Sequence, residues 1–284
     1  MKKNLIVFAS MILSSLVIFN SCKKKEVDNE TQSVVDNALC EQQFMSIGPL
    51  VNSKGTDPAQ AGFRTSSCGD GLWLYPNASS SGLDTTINPS TGAYTYSVMP
   101  TFTIDYSGTT CPDIDNVVKK GKIFITPSHK WSAVKTFSTV TTHTTTVTLD
   151  NYTVDGIKMD GVIKLIKTGN IIRTIVIGGH CSNSSEGWDI YYEADKTTQI
   201  SNDGQTISIW GESNGTTRDG RNFTTSISSS NPIIKKRNCK WISQGSISLT
   251  PEGFKTRIVD FGDGTCDNDA TFTVNGQTIS FKLQ

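Results

Sequence analysis

Two rhythms of hydrophobic and polar positions divide this chain. A continuous apolar stretch, Leu5 to Phe19, follows the basic Met1-Lys2-Lys3. At about fifteen residues it is short for a membrane span of ~20 and suits the apolar core of a signal peptide. Residues Lys23 to Glu30 are charged and lack apolar periodicity, so they read as a tether. Between Thr31 and Met45, Val34, Val35, Ala38, Leu39, Phe44 and Met45 recur at the spacings of one helix face. One short helix is predicted there, with Cys40 near its middle and Gly48-Pro49 as its stop. Beyond Gly55 the helical period gives way to alternation, punctuated by turn dipeptides.

Those dipeptides predict registers. Asp155-Gly156 sets Val154 opposite Ile157 and Tyr152 opposite Met159. Asp203-Gly204 sets Ile200 opposite Ile207, and Asn275-Gly276 sets Phe272 opposite Ile279. Asp219-Gly220 pairs Thr216 with Phe223. Each of the first three puts apolar side chains on a common face, the register a one-sided core requires. Pro251-Glu252-Gly253 reads as a three-residue loop with Gly253 in a left-handed position. It aligns Trp241, Ile247 and Leu249 with Val259 and Phe261, and brings Cys239 beside Cys266 with a one-residue mismatch. A bulge at Gly262-Asp263-Gly264 is expected to correct that mismatch.

The prediction is an all-β fold, an antiparallel meander of about ten to twelve strands behind a short N-terminal helix, with no βαβ pattern. A unit is repeated inside it. Asp105-Tyr106-Ser107-Gly108-Thr109-Thr110-Cys111-Pro112-Asp113 and Asp260-Phe261-Gly262-Asp263-Gly264-Thr265-Cys266-Asp267-Asn268 share an Asp, an aromatic, a glycine turn and Thr-Cys. Each is followed by a glycine at the same distance from its cysteine, Gly121 and Gly276, opening another alternating run. The organisation expected is signal peptide at 1–21, anchor and tether at 22–30, helical segment at 31–54 and β-rich domain at 55–284.

Composition narrows the function classes. The 284 residues carry 26 basic and 26 acidic side chains, a net charge of zero, so the basic footprint of a nucleic-acid binder is missing. Threonine-rich runs such as Thr136 to Thr148 favour half-wet strands. At Phe19-Asn20-Ser21-Cys22 the leader ends in a sequence that resembles a bacterial lipobox, with Phe19 where Leu is usual and Asn20 where a small residue is usual. The resemblance implies acylation of Cys22 as the mature N-terminus, and several acyl chains on one cysteine anchor a protein firmly.

With Cys22 set aside, six cysteines remain: Cys40, Cys68, Cys111, Cys181, Cys239 and Cys266. Export to an oxidising compartment makes all six disulfide candidates, with about fifteen connectivities open. Cys239–Cys266 is the one pairing the register singles out. The Asp-rich turn containing Asp263, Asp267 and Asp269 offers weak calcium ligands, and Asp113 and Asp115 are thinner still. Such turns also favour Asp because it bonds its own backbone. No cofactor is expected. His129, His143 and His180 are the imidazoles; His143 lies in an alternating Thr tract, and His180-Cys181 reads as a loop beside a strand end. No catalytic motif accompanies them, so a non-enzymatic role is expected.

Cys239-Lys240-Trp241, Gly245-Ser246-Ile247, Val259 to Asn268 and Asn275-Gly276, with Asn151-Tyr152 and Asp155-Gly156 upstream, resemble uncharacterised envelope lipoproteins of the Bacteroidota (flavobacterial type). The shorter Asp260 to Gly264 string resembles the PKD modules of surface proteins. The first resemblance implies an outer-membrane lipoprotein, facing the periplasm or the cell exterior and held by its lipid anchor, and it implies no activity; an unknown protein or glycan is the expected ligand. A binding or structural module is the expected role; a lipid or lipoprotein carrier with an open curved sheet, a PKD-like adhesion module and an envelope hydrolase are the alternatives.

Overall fold

The computed structural model describes residues 28, 30–55, 72–74, 85–88, 93–96, 102–108, 112–113, 116–127 and 142–283. The predicted signal peptide, Cys22, Cys68, Cys111, Asp115 and His129 lie outside them. Two helices come first, α1 (Gln32–Met45) and α2 (Ile47–Gly55). The first half of the strands is β1 (Leu72–Leu74), β2 (Thr85–Asn88), β3 (Ala93–Tyr96), β4 (Phe102–Asp105), β5 (Lys119–Pro127), β6 (His143–Val154), β7 (Ile157–Thr168) and β8 (Ile171–Asn183). The second half is β9 (Trp188–Ile200), β10 (Thr206–Thr216), β11 (Asn222–Ile227), β12 (Ile233–Lys236), β13 (Ile242–Pro251), β14 (Arg257–Asp263), β15 (Asp269–Val274) and β16 (Gln277–Lys282).

Fourteen of these strands form one antiparallel sheet in the order β1-β4-β5-β6-β7-β8-β9-β10-β11-β13-β14-β15-β16, with β12 beside β10 and β13; β2 and β3 pair apart. The all-β meander is as expected, and the number of described strands exceeds ten to twelve. The surplus is in short elements: β1 to β4 and β12 have three or four residues each. So few positions carry too little alternation to register as a period.

Strict alternation explains the longer strands. In β9 and β11 every second residue is buried, and the others face solvent. The buried face runs from Ile104 on β4 through Ile163, Val176, Tyr192, Phe223 and Val259 to Phe272 on β15, and forms one core with α1. From Asp36 to Met45 every side chain of α1 is buried, so the helix is covered all round rather than along one stripe. The expected apolar face is present, but Asp36, Asn37 and Glu41 are as deeply buried as Leu39.

Gly48-Pro49 does not end the helical segment. A turn at Ser46 separates α1 from α2, and Pro49 is the third residue of α2. In a first turn the missing N–H has no intrahelical partner to lose, so proline is tolerated there. The end of the expected tether is also not free: Asp28 and Glu30 close on Arg257 of β14. Glu30 then accepts from the backbone N–H of Ser33 at 2.7 Å, capping α1 in place of Thr31, whose side chain makes no cap bond.

The predicted registers hold at Val154–Ile157, Ile200–Ile207 and Phe272–Ile279. The Asp219-Gly220 register does not. Phe223 faces Gly215, and Thr216 faces Asn222, because the turn is one residue longer. Thr217 pairs with Arg221 across Arg218-Asp219-Gly220, and its hydroxyl bonds the Asp219 carboxylate. The Pro251 loop is longer as well: Leu249 pairs with Arg257 and Ile247 with Val259, and Pro251 itself continues β13 against Phe223. A shift of two residues preserves the faces, so Ile247, Leu249, Val259 and Phe261 still share the core.

The repeat is shared in part. Asp105 and Asp260 each accept the backbone N–H two residues on, from Ser107 at 2.8 Å and Gly262 at 2.7 Å. The two segments then diverge. Gly121 lies inside β5, whereas β15 intervenes before Gly276, which turns between β15 and β16.

Candidate functional site

The sheet has two faces with different chemistry. On the inner face, α1 sits against β8, β9, β10 and β13. The Glu41 carboxylate accepts from Tyr192 Oη at 2.8 Å and lies 3.1 Å from Lys196 Nζ, with Glu41 and Lys196 both fully buried. Lys196 also reaches the Gly211 carbonyl and Thr225 Oγ1, each at 3.4 Å. Burial pushes the Lys196 ammonium down and the Tyr192 phenol well up from their ordinary pKa values. Asp36 accepts from Arg218 Nε at 2.8 Å and from the Arg218 backbone N–H at 2.9 Å. Phe44 stacks on Tyr192 at 5.5 Å between ring centroids. A Cβ at Gly179 would lie 2.4 Å from the Tyr192 carbonyl and 3.0 Å from Phe44, so only glycine lets helix and strands meet there. These groups are consumed in holding the helix.

The outer face is open. A groove of about 660 Å³ crosses β8, β9, β10, β11 and β13. Cross-strand pairing lines up Ile175, Asp195, Glu212, Ser226 and Ser248 as one row. A second row joins Glu193, Asn214, Thr224 and Thr250. Five strands at about 4.8 Å spacing make the groove roughly 19 Å across, the reach of a short oligosaccharide or peptide. Glu193 and Asp195 share a face at period two, and Glu212 stands directly opposite Asp195. Like charges directly opposite destabilise a sheet, and this pair is only partly relieved. Arg173 relieves it by a two-pronged contact with Asp195, Nε at 2.7 Å and Nη2 at 2.5 Å. That contact lowers the Asp195 pKa. Beside the groove Tyr191 is 56% exposed, its ring 4.8 Å from that of His180.

His180-Cys181 is not a loop beside a strand end. Both lie within β8, which continues past a bulge where Gly178 and Gly179 oppose Gly161 of β7. His180 faces outward between Asp160 and Asp189, at 3.9 and 4.0 Å, too far for hydrogen bonds. Cys181 faces inward and is fully buried. His143 opens β6 as the Thr tract implied.

Cys239 and Cys266 are joined as a disulfide with Cα atoms 5.8 Å apart. The register shift between β13 and β14 puts Phe261 and Gly262 opposite the single Gly245, so the extra residue lies at the edge of the predicted bulge. Gly262 has φ of +93°, which an L side chain rarely adopts. The calcium candidates do not converge. Asp263 accepts from the backbone N–H and hydroxyl of Thr265, Asp267 from the backbone N–H of Asp269, and Asp269 pairs with Lys282. Asp113 pairs with Lys119 and accepts from the Val117 backbone. Among the described residues no group of three or more ligating side chains could hold a metal ion, and no helix is long and apolar enough to cross a membrane.

The groove residues escaped the sequence reading, although one signal was present. In Asp189-Ile-Tyr-Tyr-Glu-Ala-Asp195 the carboxylates alternate with apolar residues, which places Asp189, Glu193 and Asp195 on one strand face. Glu212 joins them only through pairing. No protein-family description, no curated protein and no solved structure matches this chain.

Proposed function

We propose that the protein is a lipid-anchored envelope lipoprotein, without catalytic activity, that binds a ligand along the outer-face groove. The observation that carries the reading is the carboxylate row: Asp195 and Glu212 face one another across β9 and β10, an arrangement the fold does not need. Functional sites are where such local conflicts are retained. The neighbouring Asn214, Thr224, Ser226 and Ser248 add donors and acceptors, so the groove suits a hydroxyl-rich or cationic ligand, a glycan or a basic peptide. At β8, β9, β10 and β13 the inner face, which a carrier would need vacant for acyl chains, is occupied by α1. The leader and Cys22 support the anchor, and the Bacteroidota-type motifs support the envelope location.

The exported full chain is tested against immobilised oligosaccharides and against short Lys/Arg peptides. A ligand bound by the native chain and weakened at least tenfold by Glu212→Lys is the expected result. Equal binding by both chains, or none by either, overturns the groove reading. For the anchor, Cys22→Ser is expected to move the chain from the membrane to the soluble fraction; unchanged partitioning overturns it.

A further inference from the structure

Cys40 and Cys181 come from α1 and β8, both with no exposed surface, and both are free thiols in the structure. Cys40 stands one turn before Phe44 on the helix, and Cys181 two residues past Gly179 on the same inner face of the strand. Three neighbouring contacts fix the helix at this place. Glu41, next in sequence to Cys40, holds Tyr192; Phe44, one turn on, stacks on the same Tyr192; and Phe44 lies against Gly179, two residues before Cys181. Cys181 pairs with Ile190 and Gly179 with Tyr192, so all of these groups occupy one small area of the inner face. The closeness of the two thiols is therefore set by the packing of helix on sheet rather than by two mobile side chains.

We propose that Cys40 and Cys181 form a second disulfide, joining α1 to β8, when the chain folds in an oxidising compartment. The inference rests on the envelope reading for its oxidant, which is an exchange-active protein disulfide. One cysteine attacks that disulfide as thiolate and forms a mixed disulfide. The other cysteine then displaces the oxidant's sulfur. Two thiol protons and two electrons leave the chain, one S–S bond forms, and the oxidant departs as a dithiol. The step precedes completion of the core, because neither sulfur is accessible once α1 has docked. Burial and the nearby Cys181 hold the Cys40 thiol well above its ordinary pKa in the docked state, so a chain that folds reduced resists later oxidation.

The bridge fixes which strand the N-terminal helix belongs to. Among the connectivities open to six cysteines, it removes two from the pool after Cys239–Cys266 has taken another two.

The test is peptide mapping of the exported full-length chain, denatured in N-ethylmaleimide and digested without reduction. The expected result is a linked Cys40–Cys181 peptide pair, with neither sulfur carrying maleimide. Maleimide on both, in a sample where Cys239–Cys266 is bridged, overturns the proposal, as does a link from either to Cys68 or Cys111. If Cys239–Cys266 is also open, the compartment reading has failed instead. The same mapping after refolding in a glutathione redox buffer then decides the pairing: a Cys40–Cys181 link supports it and its absence overturns it.

Discussion

Lys196 Nζ lies 3.1 Å from Glu41 Oε2, with both side chains fully removed from solvent. Such a pair is costly to desolvate and costlier to break, because removing one partner strands a buried charge. Lys196→Met is expected to lower unfolding free energy by about 3–5 kcal/mol. Glu41→Gln with Lys196→Met, which removes both charges, is expected to recover most of that loss. Urea unfolding of the three chains checks the ordering; equal stability of the single and double variants refutes it.

Arg257 is a second buried charge, at the helix entry. Its guanidinium is fully buried between Asp28 at 3.1 Å and Glu30 at 2.9 Å, with the Phe272 ring 5.6 Å away. Arg257→Met keeps the volume and removes the charge. The outcome expected is a loss of about 3 kcal/mol and release of the Asp28–Glu30 segment. Limited proteolysis should then cut ahead of α1; an unchanged digestion pattern would show that the ion pairs do not hold the segment.

Removing the Cys239–Cys266 bridge frees a loop of 266 − 239 = 27 positions. On the chain-entropy model that costs about 3–4 kcal/mol. Cys239→Ala with Cys266→Ala should therefore lower the thermal midpoint by roughly 10 °C. A shift under a degree or two would place the stabilisation elsewhere.

The groove gives a pH prediction. Arg173 holds the folded Asp195 pKa below that of the unfolded chain. A depressed carboxylate contributes stability that is complete above the unfolded value of about 3.9 and is lost as pH falls through the lower folded value. Asp195 is half-exposed, so the contribution is at most about 1 kcal/mol. Arg173→Gln should move the Asp195 titration upward in a carboxyl NMR titration; an unmoved midpoint contradicts the pairing.

Much of the fold was legible because alternation and turn dipeptides are local. Val154–Ile157 and Phe272–Ile279 follow from two-residue turns alone. The Asp219-Gly220 register was missed by one, since Thr217 and Arg221 extend that turn through bonds no dipeptide rule contains. Lys196 shows a different limit. It sits at the buried position of an otherwise legible alternation, and only the arrival of Glu41 from α1 makes a lysine tolerable there. The acidic groove was half legible. Glu193 and Asp195 share a face by periodicity, but Glu212 joins them through a strand pairing that the sequence specifies only collectively.

The helix α1 also sets an order of events during synthesis. Its partners come late: Tyr192 and Lys196 on β9 and Arg218 after β10, while Arg257 on β14 holds Asp28 and Glu30 just ahead of it. Contacts so distant in sequence impose a large loop-closure cost and slow folding. The segment from Asp28 to Met45 therefore has no completed seat until Arg257 has been made. The core therefore closes late, because the helix is held only when everything from Asp28 to Arg257 is present together.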